Sequence, residues 1–390
     1  MAYSRPVLAS LIYSLLCLGL LMVYSASMTA RPSSADEIYL SKQALYLAFG
    51  LTVGGGASLL PATFWRRAAP WIFGGVLALL IAVLVPGIGT RINGSRRWIR
   101  LGSAALQPSE FAKISVPLMV AWGMERGWSW RQEFLRGTGV LLAPVGVATI
   151  LVVIEPDLGA AVFLLIGTLL SLFFRGWPLG RLIAAGTLLL PIVTIWLVLK
   201  PYQLRRIEGF FATWTDFEQA PYQVQQSLTT LGIGGWYGTG LGEGQQKLSF
   251  LPEANTDFVF SVVGEELGLL GTLGVASLWL GVLWVGLRVV RTLPSDTFEH
   301  TVAMTLICQL VTQAAINVGV TTAMLPPKGI AHPLISYGGS SLSATLLSLG
   351  IVFSLTRPGA VLSPSGPPVN SPDSLRSLST GTRRRVTDVD

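Results

Sequence analysis

One carboxylate stands out by its surroundings. Asp257 lies in LPEANTDFVFSVVGEELG, residues 251–268, where a long polar loop enters a hydrophobic run. Glu265 and Glu266 follow about two turns further on, and read as one helix they lie deeper in the apolar run. An ionisable group at bilayer depth costs roughly 2.5–3.5 kcal/mol on insertion scales and is kept mostly for function. Asp257 is therefore a candidate proton acceptor. Asn255, Thr256 and Asp257 are also good N-cap types beside a helix start, so the same carboxylate could simply cap the helix.

Upstream, GIGTRINGSRRWIRLGSAALQPSE carries Arg91, Arg96, Arg97 and Arg100, with no acid before Glu110. Guanidinium groups pair with phosphate in bidentate fashion, which makes this loop a candidate cradle for an anionic ligand. Contact with lipid headgroups is the other reading. Trp98, amid the arginines, is either an ordinary interface aromatic or a surface for stacking on a sugar. Next, QPSEFAKISVPL opens a helix with Pro108 in its first turn and Glu110 close behind. Glu110 and Lys113 are three apart and share a face. They form a structural ion pair, or Lys113 orients and charge-tunes Asp257. In LPPKGIAHPLISYGGSS, Pro326, Pro327 and Pro333 break helix, and Gly338 and Gly339 permit close approach. This stretch reads as a broken segment lining the same cavity, with Lys328, Ser336, Ser340 and Ser341 as secondary contacts, or as a plain loop.

Composition names the scaffold that must position these groups. Hydrophobic residues make up 51% of the chain and charged residues 12%; mean hydropathy is +0.60. Soluble domains carry about 25% charged residues, so the fold class is an all-α polytopic membrane protein. At about 20 apolar residues per span, candidates lie near 8–27, 43–60, 69–87, 108–123, 138–155, 158–174, 182–199, 258–289, 301–320 and 335–356. That is about ten transmembrane helices, with a large extracytoplasmic loop (about 200–256) between helices 7 and 8. The 258–289 run is longer than a bilayer needs, so tilt or protrusion is expected. The first run ends in VYSAS, but it is too long for a signal sequence and reads as an uncleaved helix.

The large loop holds many aromatics, a short helical stretch YQVQQSLTTLG and the run GIGGWYGTGLGEG. No strand–helix unit surrounds that glycine run, so it reads as tight turns bringing backbone near a headgroup, not as a nucleotide cradle. Cys17 and Cys308 each fall inside a predicted span, and His300 and His332 are isolated. Neither a disulfide framework nor a Cys/His metal site is indicated. With the N-terminus inside, Arg5, Arg66, Arg67, Arg126, Arg131, Arg136, Arg175, Arg181, Arg288, Arg291 and Arg357 fall on the cytoplasmic side. The outer side also holds cations, so charge counting decides orientation only weakly. The transmembrane unit covers 1–357. The Ser- and Pro-rich tail 358–390, with Arg383, Arg384 and Arg385 near its end, reads as a disordered cytoplasmic segment.

Several segments occur in a fixed order between about residue 10 and 357: INGSRRWI, QPSEFAKI, EPDLGAA, YQVQQSL, GGWYGTGLGEGQQKLSFLPEANTDFVFSVVGEELG and LPPKGIAHPLISYGGSS. Together they resemble the SEDS family (shape, elongation, division and sporulation), the FtsW/RodA peptidoglycan glycosyltransferases. The PEANTDF and PPKG-to-ISYGGSS wording is nearer the FtsW-like branch than the RodA-like one. Three departures stand out. Asn255 occupies a usual histidine position, Glu155 replaces a frequent glutamine, and Thr322, Ala323 and Met324 replace a more usual glycine–leucine wording.

The resemblance implies lipid II, a disaccharide-pentapeptide on undecaprenyl pyrophosphate, as substrate and a β-1,4 glycan strand as product. It places the site on the outer face of the bacterial cytoplasmic (inner) membrane, with both termini cytoplasmic and a role in septal wall synthesis during cell division. The family's essential carboxylate matches Asp257. The donor is α-linked and the product β, so the reaction inverts. Asp257 would take the acceptor hydroxyl proton, a step typically worth about 10²–10⁴ in rate. Arg96, Arg97 and Arg100, with Lys113 nearby, would meet the departing diphosphate. An apolar groove would hold the isoprenoid tail. A divalent cation, magnesium or manganese, could share that charge, although only scattered carboxylates are present to hold it.

The implied partners are a class B penicillin-binding transpeptidase and membrane proteins of the divisome or elongasome. No nucleic acid is implied. A lipid II flippase or transporter is the competing class, against which stands the lack of an internal repeat. A RodA-type elongation polymerase is the nearer alternative. A pure scaffold leaves Asp257 and the arginine loop unexplained.

Overall fold

The computed structural model describes residues 4–27, 34–92, 95–102, 104–127, 139–184, 187, 201–248 and 250–358. In order the helices are α1 (Ser4–Ala26), α2 (Ser34–Leu59), α3 (Ala62–Leu84), α4 (Pro108–Glu125), α5 (Val140–Ile154) and α6 (Leu158–Phe174). There follow α7 (Pro201–Thr215), α8 (Tyr222–Gly234), α9 (Val259–Val290), α10 (Phe298–Thr321) and α11 (Gly339–Leu355). Residues 179–184 are also helical. Most of the span expected at 182–199 lies outside the described residues, as do Arg131, Arg136 and the tail 359–390.

α1, α3, α9 and α10 are each long and apolar enough to cross a membrane, and α5, α6 and α11 are shorter apolar helices. The chain is a polytopic membrane protein. α2 begins at Ser34, ahead of the expected 43, because its first turns, ADEIYLSKQ, are too polar for a hydropathy reading. α11 lies along α2, α3 along α4, and α6 against both α4 and α10. The α2–α11 contact is close enough that a Cβ on Gly350 would fall 2.1 Å from the Gly54 carbonyl oxygen. Only backbone fits there, as at other small-residue helix crossings in membranes.

The helical class carries one addition. Between α3 and α4 the chain forms an antiparallel sheet, β1 (Gly89–Ile92), β2 (Ser95–Leu101) and β3 (Ala104–Leu106), in that spatial order. Asn93 and Gly94, between β1 and β2, are the residue pair that two-residue hairpins favour. The sheet matters because β2 is bulged at an arginine: Trp98 pairs with Thr90 and Arg96 with Arg91, which leaves Arg97 as the extra residue. Bulges re-aim a side chain and commonly lie next to active sites.

The long hydrophobic run neither tilts nor protrudes as one rod. α9 breaks at Gly268, whose φ of 66° and ψ of −165° are non-helical. That dihedral region suits glycine. Phe260 and Trp279 both lie against the His332 ring, with centroids 6.0 and 5.9 Å away, so the two are at most about 12 Å apart. A continuous helix would separate them by about 28 Å at 1.5 Å per residue. The chain therefore reverses at Gly268, and the spanning helix is 269–290. The preceding helix, 259–267, climbs from Asp257 towards the level where α1 ends. Glu265 and Glu266 are accordingly nearer the rim than Asp257, which corrects the order expected from linear reading.

Candidate functional site

Asp257 closes the turn-rich stretch 251–258. Its carbonyl accepts a hydrogen bond from Asn317 Nδ2 at 2.8 Å, and the same amide donates to the Ile330 carbonyl at 2.7 Å. Asn317 Oδ1 lies 3.1 Å from His332 Nδ1, while Trp279 Nε1 donates to His332 Nε2 at 3.0 Å. An indole nitrogen can only donate, so Nε2 accepts and Nδ1 carries the hydrogen towards Asn317. Ser336 Oγ donates to the Thr256 carbonyl and accepts from the His332 amide at 2.7 Å. The broken stretch after α10 and the loop before α9 thus hold each other. A Cβ on Gly329 would fall 2.8 Å from Asp257 Oδ2, so glycine there lets backbone pack against the carboxylate.

The Asp257 carboxyl lies deep among protein atoms, although the residue keeps part of its surface open. Burial, then the negative charge of Glu253, pushes its pKa up to about 7, while Arg206 and Arg97 pull the other way. A general base with a pKa near the working pH combines availability with driving force.

Of the arginine loop, Arg97 is the member whose charge Asp257 feels most. Arg97 donates from Nε to the Glu155 carbonyl at 3.3 Å and from Nη2 to the Pro156 carbonyl at 2.7 Å. Its Nη1 is 3.9 Å from Asp157 Oδ1. Arg96 turns back to the end of α3, donating to the Leu84 carbonyl at 3.1 Å. Trp98 is partly buried, and Arg100 is exposed. The bulged strand therefore sends Arg96 and Arg97 to different partners and separates arginines that a loop reading had grouped.

Glu110 and Lys113 pair at 2.7 Å, and Lys113 also donates to Gln313 Oε1 at 3.0 Å. Gln313 Nε2 in turn donates to the Ala331 carbonyl at 3.0 Å. Lys113 thus connects to the stretch beside Asp257 through Gln313, and it is not among the charges acting most on that carboxyl. Ser340 Oγ donates to the Ala105 carbonyl at 2.7 Å and accepts from the Gln107 amide at 3.0 Å, fastening β3 to the start of α11. Lys328 lies near Arg206, and burial followed by that positive charge lowers its pKa.

Three residues join the site that sequence reasoning did not single out. Asp157 caps α6 by accepting from the Ala160 amide at 3.1 Å, and accepts from Gln107 Nε2 at 2.9 Å and Ser109 Oγ at 3.3 Å. Glu155, weighed only as a family departure, is wholly buried, and neither carboxylate oxygen has a partner among the described residues. Burial, then the Asp157 charge, pushes its pKa up to about 8 against the pull of Arg97. Arg206, on α7, donates to the Pro327 carbonyl at 3.3 Å. An acidic pair opening an apolar run, EPDLGAA, was the available signal for the first two. Among the described residues no group of three or more His, Cys, Asp or Glu side chains is placed to hold a metal ion.

The glycine-rich run wraps the rim of this site. Lys247 Nζ meets Glu266 Oε1 at 2.6 Å, Ser25 Oγ at 2.8 Å and the Gly242 carbonyl at 3.0 Å, using all three of its donors. Glu265 Oε1 accepts from the Gln245 and Gln246 amides at 2.8 and 3.1 Å. A Cβ on Gly244 would lie 2.8 Å from Glu265 Oε2. The glycines thus bring backbone onto these two glutamates. On the membrane side, a groove of about 350 Å³ between α2, α3, α4 and α11 is lined by apolar residues including Phe64, Ile72, Phe111, Ile114 and Leu118. Ile114 also borders the small cavity that holds Glu110 and Lys113.

A family model for FtsW, RodA and SpoVE, described as "Cell cycle protein", matches residues 6–359. The chain is 37% identical over 344 residues to the probable peptidoglycan glycosyltransferase FtsW of Geobacter sp. (strain M18), covering 88% of this chain and 94% of that protein. It is 40% identical over 350 residues to the protein of the same description from Coxiella burnetii, covering 87% and 92%. Among solved structures it is similar to a chain of a peptidoglycan synthase complex reported for its coordination of polymerization and crosslinking. That match has a TM-score of 0.74 at 28% identity and covers 90% of this chain and 96% of the other. Thermus thermophilus RodA superposes with a TM-score of 0.64 at 27% identity, covering 90% and 95%.

Proposed function

This chain belongs to the FtsW/RodA/SpoVE family, and from that membership we propose a specific chemistry for its outer end. It is a peptidoglycan glycosyltransferase, and its nearer likeness is to relatives called FtsW. The substrate is lipid II: a lipid-diphosphate-linked sugar is the donor, and the 4-hydroxyl of a second lipid-linked sugar is the acceptor. Asp257 takes the proton of that hydroxyl as the new bond forms at the donor sugar with inversion. Arg97, Arg206 and Lys328 surround the place where the diphosphate leaves, and such preorganised charge is often the largest catalytic term. Arg96, Trp98 and Arg100 line the approach along β2. The described residues do not group carboxylates for magnesium or manganese, so no step is routed through a cation. The isoprenoid tail lies in the apolar groove beside α3 and α4.

The basic helix ends support one orientation. Arg66 at the start of α3 bonds to Glu299 at the start of α10, and Arg5 at the start of α1 donates to the Phe353 carbonyl at the end of α11. These ends face the cytoplasm under the positive-inside bias, which leaves Asp257 facing outward and both termini inside. The work belongs to septal synthesis, alongside a class B penicillin-binding transpeptidase.

The observation that carries the reading is a carboxyl with a near-neutral pKa set against Arg97 and Arg206. Its test is purified chain, with its transpeptidase partner, given lipid II. Wild type makes glycan, and Asp257→Asn, still folded and partner-bound, makes none. Full-length glycan from that variant defeats the assignment. Vesicles that move lipid II across the bilayer without polymerising it would point to a carrier instead.

A further inference from the structure

The end of the bundle opposite Asp257 holds a second polar cleft that this chemistry does not use. It measures about 580 Å³ and lies between the first turns of α3 and the last turns of α4. Arg66, Arg67, Trp71, Trp122, Glu125 and Arg126 are among its walls. The charges are unequally committed. Arg66 is spent on the wall itself, with Nε 3.2 Å from Glu125 Oε2 and Nη2 2.6 Å from Glu299 Oε1. Glu125 also accepts from the Phe298 amide at 3.2 Å. That acid is therefore already answered.

Arg67 and Arg126 have no acidic partner among the described residues. Arg126 instead lies over the Trp122 ring, its guanidinium carbon 4.1 Å from the centroid, a cation–π contact that does not consume its N–H donors. Trp71 stands one helical turn beyond Arg67 on the same face of α3 and is 82% exposed. α3 is one of the helices that can cross a membrane. An exposed indole one turn inward from the arginines that open such a helix lies where acyl chains meet headgroups. Two guanidinium groups without an acidic partner among the described residues, beside an exposed indole, make a particular demand. The ligand must carry a phosphate for bidentate pairing and an apolar body to lie against the tryptophan. Basic pockets between membrane helices on the cytoplasmic side take anionic lipid headgroups for these reasons.

We infer that this cleft binds the headgroup phosphate of an anionic phospholipid of the inner leaflet, with Arg67 and Arg126 as the phosphate ligands and Trp71 against the glycerol and acyl region. The inference rests on the orientation proposed above but not on the polymerase chemistry, because it uses no residue of the site around Asp257.

Full-length protein in detergent, stripped of lipid, provides the test. Its melting midpoint is measured with phosphatidylglycerol, with phosphatidylethanolamine and with soluble glycerol 3-phosphate. Phosphatidylglycerol is expected to raise the midpoint by several degrees, and the other two to leave it unmoved. The double variant Arg67→Gln/Arg126→Gln should melt like wild type without lipid and lose the rise. An equal rise in the double variant overturns the inference, as does a rise of the same size with glycerol 3-phosphate alone. If the double variant melts lower by itself, native mass spectrometry decides by counting retained phosphatidylglycerol. Fewer bound molecules than wild type supports the site, and an equal number overturns it.

Discussion

Asn317 holds the backbone carbonyl of Asp257 at 2.8 Å, from a helix that otherwise belongs to the core of the bundle. The carboxylate therefore sits on a loop whose position is dictated by α10. Activity governed by this carboxyl should rise with pH through about 7, because the base works only when ionised and its pKa is raised to that value. Polymerisation of lipid II measured from pH 5.5 to 8.5 checks this, and a profile flat through neutrality would remove Asp257 as the titrating base. Asn317→Ala should lower kcat about tenfold or more without moving the pH midpoint greatly, since misplacement of a catalytic group by an ångström is costly.

The arginines of β2 should not be equivalent. Arg97→Ala removes the guanidinium that reaches Glu155, Pro156 and Asp157, and is expected to reduce kcat/KM by about 10²–10³, in line with loss of one preorganised charge donor. Arg100→Ala changes an exposed residue and should cost less than about threefold under the modest value of exposed charges. Equal losses from both, measured on lipid II, would mean that the contacts of Arg97 do not set it apart.

Glu155 offers a stability test independent of catalysis. Its folded-state pKa is raised to about 8, so ionising it opposes folding. The sign follows from linkage: the penalty is absent at acid pH, grows as pH rises above the usual glutamate range, and is complete above about 8. Glu155→Gln should therefore raise the melting midpoint more at pH 8.5 than at pH 5.5. An equal shift at the two pH values would show that the group is not held protonated.

Lys247 and Glu266 form a pair with side-chain exposures of 1% and 0%. Removing one partner strands a buried charge, so Lys247→Met should destabilise by about 3–5 kcal/mol. Lys247→Met/Glu266→Leu should recover part of that loss. Thermal unfolding of the two variants measures it, and additive losses would contradict a coupled pair.

Much of this was legible in the sequence, and the rest failed for identifiable reasons. Apolar length alone placed α1, α4, α5, α6, α10 and α11 within a few residues, because lipid demands continuous helix across its core. The same criterion misread 258–289, since hydropathy cannot see a chain reversal made by one glycine. Asp257 was legible as a polar residue at an apolar boundary. Its company was not: Arg206 and Asp157 arrive from segments distant in sequence, and tertiary packing alone brings them together. The sorting of Arg96, Arg97 and Arg100 required a strand where a loop was assumed, although Asn93 and Gly94 carried the hairpin signal.

The reversal at Gly268 has a mechanical corollary. The stretch from Val259 to Leu267 is an unbroken strut about 13 Å long at 1.5 Å per residue, clamped by the Lys247 collar at one end and continuous with Asp257 at the other. The collar and the carboxylate thus sit at the two ends of one short helix, the shortest covalent route by which a displacement at the outer collar would reach Asp257.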